Sequence, residues 1–166
     1  IATVVTGDHG EAFGEHGQMH HSSGLLHALL RAPLIVDAPC IDLGVDHAQV
    51  QHLDVAPTLL SLAGIDRHES MLGRAQCQPQ QTDGAALQPV FSERVAESSQ
   101  IGGRYMLAIR SAAYKYIYDF ASRRRSLYDL TADPAEQHDI AESAPADVLR
   151  EFDRLRLAHV SRGLIH

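Results

Sequence analysis

The chain has 166 residues, which is room for one domain, or for one and a small second. Its 45% hydrophobic and 21% charged residues exclude a disordered tail, and no apolar run approaches the roughly 20 residues that a membrane helix needs. Fourteen Lys and Arg against 21 Asp and Glu give a formal charge of −7, which excludes a general nucleic-acid binder with a basic face. An anionic substrate then requires a metal or a few cations to reverse the field locally. Lys115 is the single lysine, a bias read as genome composition. Cys40 and Cys77 lie in no CxxC pair, so they indicate no zinc knuckle and leave the redox compartment open.

The run Ile1-Ala2-Thr3-Val4-Val5-Thr6 is β-branched and apolar, as in a strand buried inside a parallel sheet. Such a strand needs neighbours on both sides, so the chain is expected to be the C-terminal part of a longer protein. Gly7 to Glu11 reads as a turn, and Ala12 to Gln18 as a Gly- and His-rich loop. Ser23 to Arg31 carries Leu25, Leu26, Leu29 and Leu30 and predicts a short amphipathic helix stopped by Pro33. Leu34-Ile35-Val36 predicts a second strand. This βαβ-like order points to a mostly parallel sheet.

Asp54 to Gly64 predicts a helix, with Asp54 as N-cap, Pro57 in the first turn and Gly64 as the stop. Residues 65–88 read as a connecting loop. Runs at 89–92, 104–110, 114–118 and 126–130 are then spaced like antiparallel strands. Residues 146–160, with Val148, Leu149, Phe152, Leu155 and Leu157 apolar, predict a terminal helix on that sheet. The expected fold class is α/β: the end of a mostly parallel sheet sandwiched by helices over 1–88, then a small antiparallel α+β subdomain over 89–166.

The chemistry is densest in Asp8-His9-Gly10-Glu11-Ala12-Phe13-Gly14-Glu15-His16-Gly17, followed by His20 and His21. In open α/β sheets ligands gather outside the carboxyl ends of strands, where Asp8 and His9 fall. A carboxylate beside an imidazole suits a divalent metal of mixed oxygen and nitrogen preference. The plainer reading is a loop with surface histidines and an Asp that caps a turn. Four His within residues 9–21 also raise a zinc site, which no HExxH or Cys pair supports. Glu11 and Glu15 either support the histidines or sit in an exposed loop. His16 either faces the site or braces the loop. Tyr114, Tyr116 and Tyr128 read as packing across strands, and Arg123-Arg124-Arg125 as a solvated hairpin tip.

Thr6 to Glu11, Gly14 to Gly17, His21, Leu25 and Pro33-Leu34-Ile35 together resemble the second active-site segment of sulfatases in the alkaline phosphatase superfamily. Asp54 to Leu60 with Leu62 to Ile65 resembles that family's helix after the sheet. Arg110, Tyr114 to Ile117 and Leu127 to Glu136 resemble its C-terminal subdomain. The resemblance implies that Asp8 and His9 are two ligands of one divalent cation, calcium first and manganese next. It implies that His21, twelve residues after His9, stands where the family usually has a sulfate-contacting Lys, with His20 its rival for the role. The family's formylglycine nucleophile lies in a Cys/Ser-x-Pro-x-Arg motif, and neither Cys40 nor Cys77 sits in one. The nucleophile and the remaining carboxylate ligands are therefore expected in a missing N-terminal portion of the same protein, and this chain alone should not turn over. The implied substrate is a small-molecule sulfate ester, and a periplasmic or secreted location is compatible with the family. Two alternatives stay open: a phosphodiesterase or phosphonate monoester hydrolase of the same superfamily, and a non-catalytic metal-binding module.

Overall fold

A computed structural model describes residues 1–20, 24–39, 41–42, 44–45, 48–76, 88–95 and 105–163. In chain order the elements are β1 (Thr3–Thr6), β2 (Ala12–Phe13), β3 (Met19–His20), α1 (His27–Leu30), β4 (Leu34–Asp37), α2 (Val55–Leu62), β5 (Val90–Val95), β6 (Tyr105–Arg110), β7 (Tyr114–Asp119), β8 (Arg124–Asp129) and α3 (Ala146–Gly163). They fall into two compact units, one of residues 1–8 and 32–87 and one of 9–31 and 88–166. The break at 87/88 lies beside the expected one at 88/89, but residues 9–31 group with the C-terminal unit. Cys40, Cys77 and His21 lie outside the described residues, as does Arg104 at the expected start of β6. Among the described residues no helix is long and apolar enough to cross a membrane.

In the first unit β1 and β4 form a two-stranded ribbon with Thr3 opposite Asp37 and Thr6 opposite Leu34. The pairing is antiparallel, which corrects the expected parallel βαβ order. A parallel return needs a crossover element that runs back along the sheet. Here α1 is only four residues long and belongs to the other unit, so the chain re-enters beside β1 in the opposite sense. The apolar cross-strand pair Val5 and Ile35 stays 51% and 58% exposed.

Helix α2 ends as its sequence predicts. Gly64 takes φ 69°, its N–H donates to Ser61 C=O at 3.1 Å, and Ile65 N–H donates to Leu60 C=O at 2.9 Å. This double closure is the left-handed stop for which glycine is suited. The start differs from expectation. Asp54 does not cap α2 with its side chain, because it already lies in a 3-10 turn (His52–Asp54) that runs into the helix. Its carboxylate is 1% exposed and accepts from Gln51 N–H at 3.1 Å, Arg74 N–H at 2.9 Å and Gln76 Nε2 at 2.9 Å. Asp54 thus organises the loop that returns past the helix.

The second unit is built on the antiparallel meander β5-β6-β7-β8. Central strand β6 is apolar without alternation because both faces are covered. Leu107 and Ile109, with Tyr116 and Leu127, pack against Leu149 and Phe152 of α3. Met106, Ala108 and Ile117 pack on the opposite face against Leu25, with Leu26 and Leu30 beside them. Burying each such side chain contributes roughly 1.5–3 kcal/mol. Leu25 and α1 therefore draw residues 9–31 onto this sheet. Tyr116 stacks on Phe152 and donates its hydroxyl to Asp153 at 2.7 Å, as the packing reading expects. Burial, with Asp153 beside it, raises the Tyr116 phenol above its usual range. Arg125 is more than a hairpin tip: it bonds the other Asp153 oxygen at 3.0 Å. Leu157 is exposed, since it leaves the helical register of 148, 152 and 155 that faces the sheet.

Replacing Asp54 by Ala leaves three donors facing a buried gap. The change is expected to destabilise the intact protein by about 3 kcal/mol, read as a lower denaturant midpoint. A loss under about 0.5 kcal/mol would show that the loop finds other acceptors.

Candidate functional site

Asp8 is the last residue of the first unit, two positions past β1, and it is exposed. The carbonyl just before it is pinned: His52 Nε2–H donates to Gly7 C=O at 2.8 Å. This role of His52 carries no signal in the sequence, because it depends on a contact 45 residues away.

His9 opens the second unit's loop. Its Nδ1 lies 2.7 Å from Gly10 C=O, and a carbonyl only accepts, so Nδ1 carries the proton and the lone pair sits on Nε2. Gly10 N–H donates to Leu29 C=O at 2.9 Å. A Cβ at Gly10 would lie 2.2 Å from Ala28 O and 2.8 Å from Arg31 O, so only glycine fits against the end of α1. The start of the loop is therefore stitched to its end.

Between them β2 and β3 form a small hairpin, with Ala12 opposite His20 and Phe13 opposite Met19. Its tip is a 3-10 turn (Glu15–Gly17) in which His16 takes φ 53°. The Glu15 carboxylate accepts Phe13 N–H at 2.6 Å, and that bond holds the carboxyl below its usual range. His16 donates from Nε2 to Ala135 C=O at 3.0 Å, which makes it a brace of the loop. His20 is exposed at φ 61°, with Nδ1 3.8 Å from a Glu11 carboxylate oxygen. Among the described residues no three His, Cys, Asp or Glu gather into a metal-holding group. Of the described histidines of the zinc alternative, His9 precedes the hairpin, His16 sits at its tip and His20 on β3.

Beneath this loop lies a group that sequence reasoning missed. Lys115 Nζ donates to both Glu136 oxygens, at 2.9 and 3.1 Å, with side chains 2% and 0% exposed. Burial lowers the ammonium to about 8 against the opposing pull of Glu136. Glu136 Oε2 also accepts the His27 N–H at 2.8 Å. Arg110 Nη1 donates to His27 Nδ1 at 3.2 Å. Burial first, and then the Arg110 charge, lower the His27 imidazole below its ordinary 6.5. The available signal was the lone lysine: in a chain that otherwise uses Arg, one Lys placed inside an apolar strand marks a buried point charge. A groove of about 530 Å³ elsewhere in this unit, lined by Pro89, Tyr114, Val148 and Leu155, contains none of these residues.

Residues 14–161 match the family model for the C-terminal part of N-sulphoglucosamine sulphohydrolase. A choline-sulfatase of Rhizobium meliloti is 34% identical across 92% of this chain and 30% of its own length. The solved structure of a Bacteroides thetaiotaomicron protein assigned as a sulfatase superposes with a TM-score of 0.86 at 25% identity, covering 97% of this chain and 36% of that one. A phosphonate monoester hydrolase from Silicibacter pomeroyi superposes with a TM-score of 0.74 at 26% identity, over 96% of this chain and 34% of its own. The chain thus spans about a third of the length of the proteins it matches.

The depressed His27 has a consequence for stability. Its folded pKa lies below 6.5, so as pH falls the unfolded chain takes up a proton that the folded one still refuses. The stabilisation is full above about 6.5 and is lost as pH falls through the folded value. His27→Gln, whose amide oxygen can accept from Arg110, is expected to flatten the acid-side fall of the melting temperature below about pH 6.5. An unchanged slope would show that His27 titrates alike in both states.

Proposed function

The chain belongs to the sulfatase family of the alkaline phosphatase superfamily, as a C-terminal portion, and from that premise we propose that the intact protein hydrolyses a sulfate ester. The observation that carries the reading is the extended identity to a choline-sulfatase over nearly the whole chain. In this reading residues 1–88 complete an α/β domain whose mostly parallel sheet takes its other strands from outside this chain, and 89–166 form the subdomain. The exposed Val5 and Ile35, apolar and cross-strand, support that: such a face suits a further layer or strand rather than water.

Asp8 and His9 are the proposed metal ligands. A carboxylate oxygen and a neutral imidazole fit a divalent cation, calcium in the first instance and manganese in the second. The hydrogen bond from His9 Nδ1–H to Gly10 C=O supports this, because it fixes the tautomer that presents Nε2 as the donor atom. When bound, the cation would offset negative charge on the sulfuryl oxygens. The formylglycine nucleophile and the remaining ligands belong to the N-terminal portion. His21 is the proposed contact to the sulfate and proton donor to the leaving ester oxygen. His20 is the rival, and its nearness to Glu11 gives it a second use as the loop's own brace.

A phosphonate monoester hydrolase is the second reading, favoured by the Silicibacter pomeroyi structure. Sulfate and phosphonate monoesters are similar tetrahedral anions, and this segment suits both. Assay of the intact protein with 4-nitrophenyl sulfate and 4-nitrophenyl phenylphosphonate separates them. Sulfate turnover is expected to lead. Phosphonate turnover in its place favours the second reading, and neither favours a metal-binding module. Asp8→Ala is expected to lose the cation by elemental analysis together with turnover; full metal retention would remove Asp8 from the site.

His21→Ala is expected to lose roughly 10²–10⁴-fold in rate. His21→Lys should keep much of the rate and flatten its pH dependence between about 6 and 8, because Lys stays charged where an ordinary His titrates. A response of His20→Ala alone would assign the role to His20.

A further inference from the structure

Between the end of β1 and Asp8 stands Gly7, the residue type whose backbone turns most freely. The ladder of the β1–β4 ribbon ends with Thr6 opposite Leu34, so the Gly7–Asp8 peptide lies beyond its register. That peptide is a plane: its carbonyl oxygen, its N–H and the bond to the Asp8 Cα turn together. Fixing the oxygen therefore fixes the direction in which Asp8 leaves the strand. Two donors reach it. Thr6 Oγ1 lies at 3.2 Å, but it comes from the neighbouring residue and moves with the strand end. His52 Nε2–H donates at 2.8 Å from 45 residues away, and it brings a position set elsewhere.

That position is closely determined. His52 opens the 3-10 turn His52–Asp54, which closes on itself twice. Asp54 N–H donates to Gln51 C=O at 2.9 Å, and Gln51 N–H donates back to the Asp54 carboxylate at 3.1 Å. Thr58 Oγ1 donates to Asp54 C=O at 2.6 Å and joins the turn to α2. The buried Asp54 carboxylate also holds Arg74 N–H and Gln76 Nε2. Asp54 thus places His52, and His52 places the carbonyl before Asp8. All of these residues belong to the first unit. We propose that His52 is a positioning residue for Asp8: its Nε2–H holds the Gly7–Asp8 peptide plane and so sets the direction from which the Asp8 carboxylate is presented. The metal half of this rests on the reading of Asp8 as a ligand; the hydrogen bond does not. Groups that orient a ligand without touching the cation tune its affinity through the ligand's geometry.

The test uses the intact protein, stripped of metal with a chelator and titrated with manganese alone. His52→Phe keeps a ring and removes the donor. His52→Gln sets an amide N–H at the reach of Nε2, whereas His52→Asn sets one only at the reach of Nδ1. The Phe and Asn variants are expected to bind manganese roughly 10-fold more weakly, and the Gln variant to return to within about twofold of wild type. The denaturant midpoint of the metal-free protein should be alike in all four, because His52 is exposed. A merely structural role shows the reverse, a lowered midpoint with manganese affinity unchanged. Unchanged affinity in the Phe and Asn variants, or a Gln variant as weak as those two, would overturn the positioning role. If the Phe variant does not fold, the Asn and Gln pair decides the matter by the same comparison. Asp8→Ala separates the two claims. If it loses manganese while the His52 variants bind as wild type does, the ligand reading stands and the positioning role falls. If it holds manganese as tightly as wild type, or if wild type holds none, both fall.

Discussion

One buried ion pair, Lys115 with Glu136, is the constraint around which the C-terminal unit is arranged. Two charges taken out of water cost several kcal/mol each, and mutual attraction offsets this only with good geometry and satisfied lone pairs. Both conditions are met: the ammonium spans both carboxylate oxygens, and one of those oxygens also takes a backbone N–H. Three parts of the chain thereby meet at one carboxylate: strand β7, the turn after β8 and the first residue of α1. A compact ammonium suits a point between two oxygens; a forked guanidinium is wider and presents its donors in a plane. Truncating either partner strands a buried charge, a loss of about 3–5 kcal/mol.

From this pair the rest of the segment follows. Residue 27 is held by its N–H, Leu25 fills the space over Met106, Ala108 and Ile117, and Gly10 closes on Leu29. The hairpin β2–β3 is too short to stand alone, and His16 secures its tip to Ala135. The described residues of a loop that carries His9 and His20 are thus fixed by a sheet with neither of them in its own strands. This matches what a site assembled from distant parts of a long chain requires, since each part must arrive with its side chains already ordered.

Elements governed by local chemistry could be read from the sequence. Gly64 stops α2 by the expected left-handed closure, the meander follows the spacing of its apolar runs, and α3 presents Val148, Leu149, Phe152 and Leu155. The failures are all non-local. Strand direction in the β1–β4 ribbon depends on where the chain goes between residues 7 and 33, and a short apolar run has no directional mark. Asp54 looked like a cap because its type and position fit one, yet its partners at 74 and 76 took the carboxylate first. Leu157 looked apolar and inward because composition lacks the finer phase of the helix. A single lysine among thirteen arginines marks one site, the buried pair of Lys115 with Glu136, rather than a compositional bias. For the candidate site, the residue types Asp8, His9 and His20 are visible, while the bond from His52 to Gly7 C=O and the bond from His9 to Gly10 C=O are not.

Anomalous diffraction from crystals of the intact protein grown with manganese tests most directly whether Asp8 and His9 form part of a metal-dependent sulfatase site. A single strong peak is expected against an Asp8 carboxylate oxygen and His9 Nε2, with Nδ1 still on Gly10 C=O and Glu136 still joining Lys115 to the His27 N–H. A peak held by other residues, with Asp8 and His9 turned away from it, would contradict the assignment.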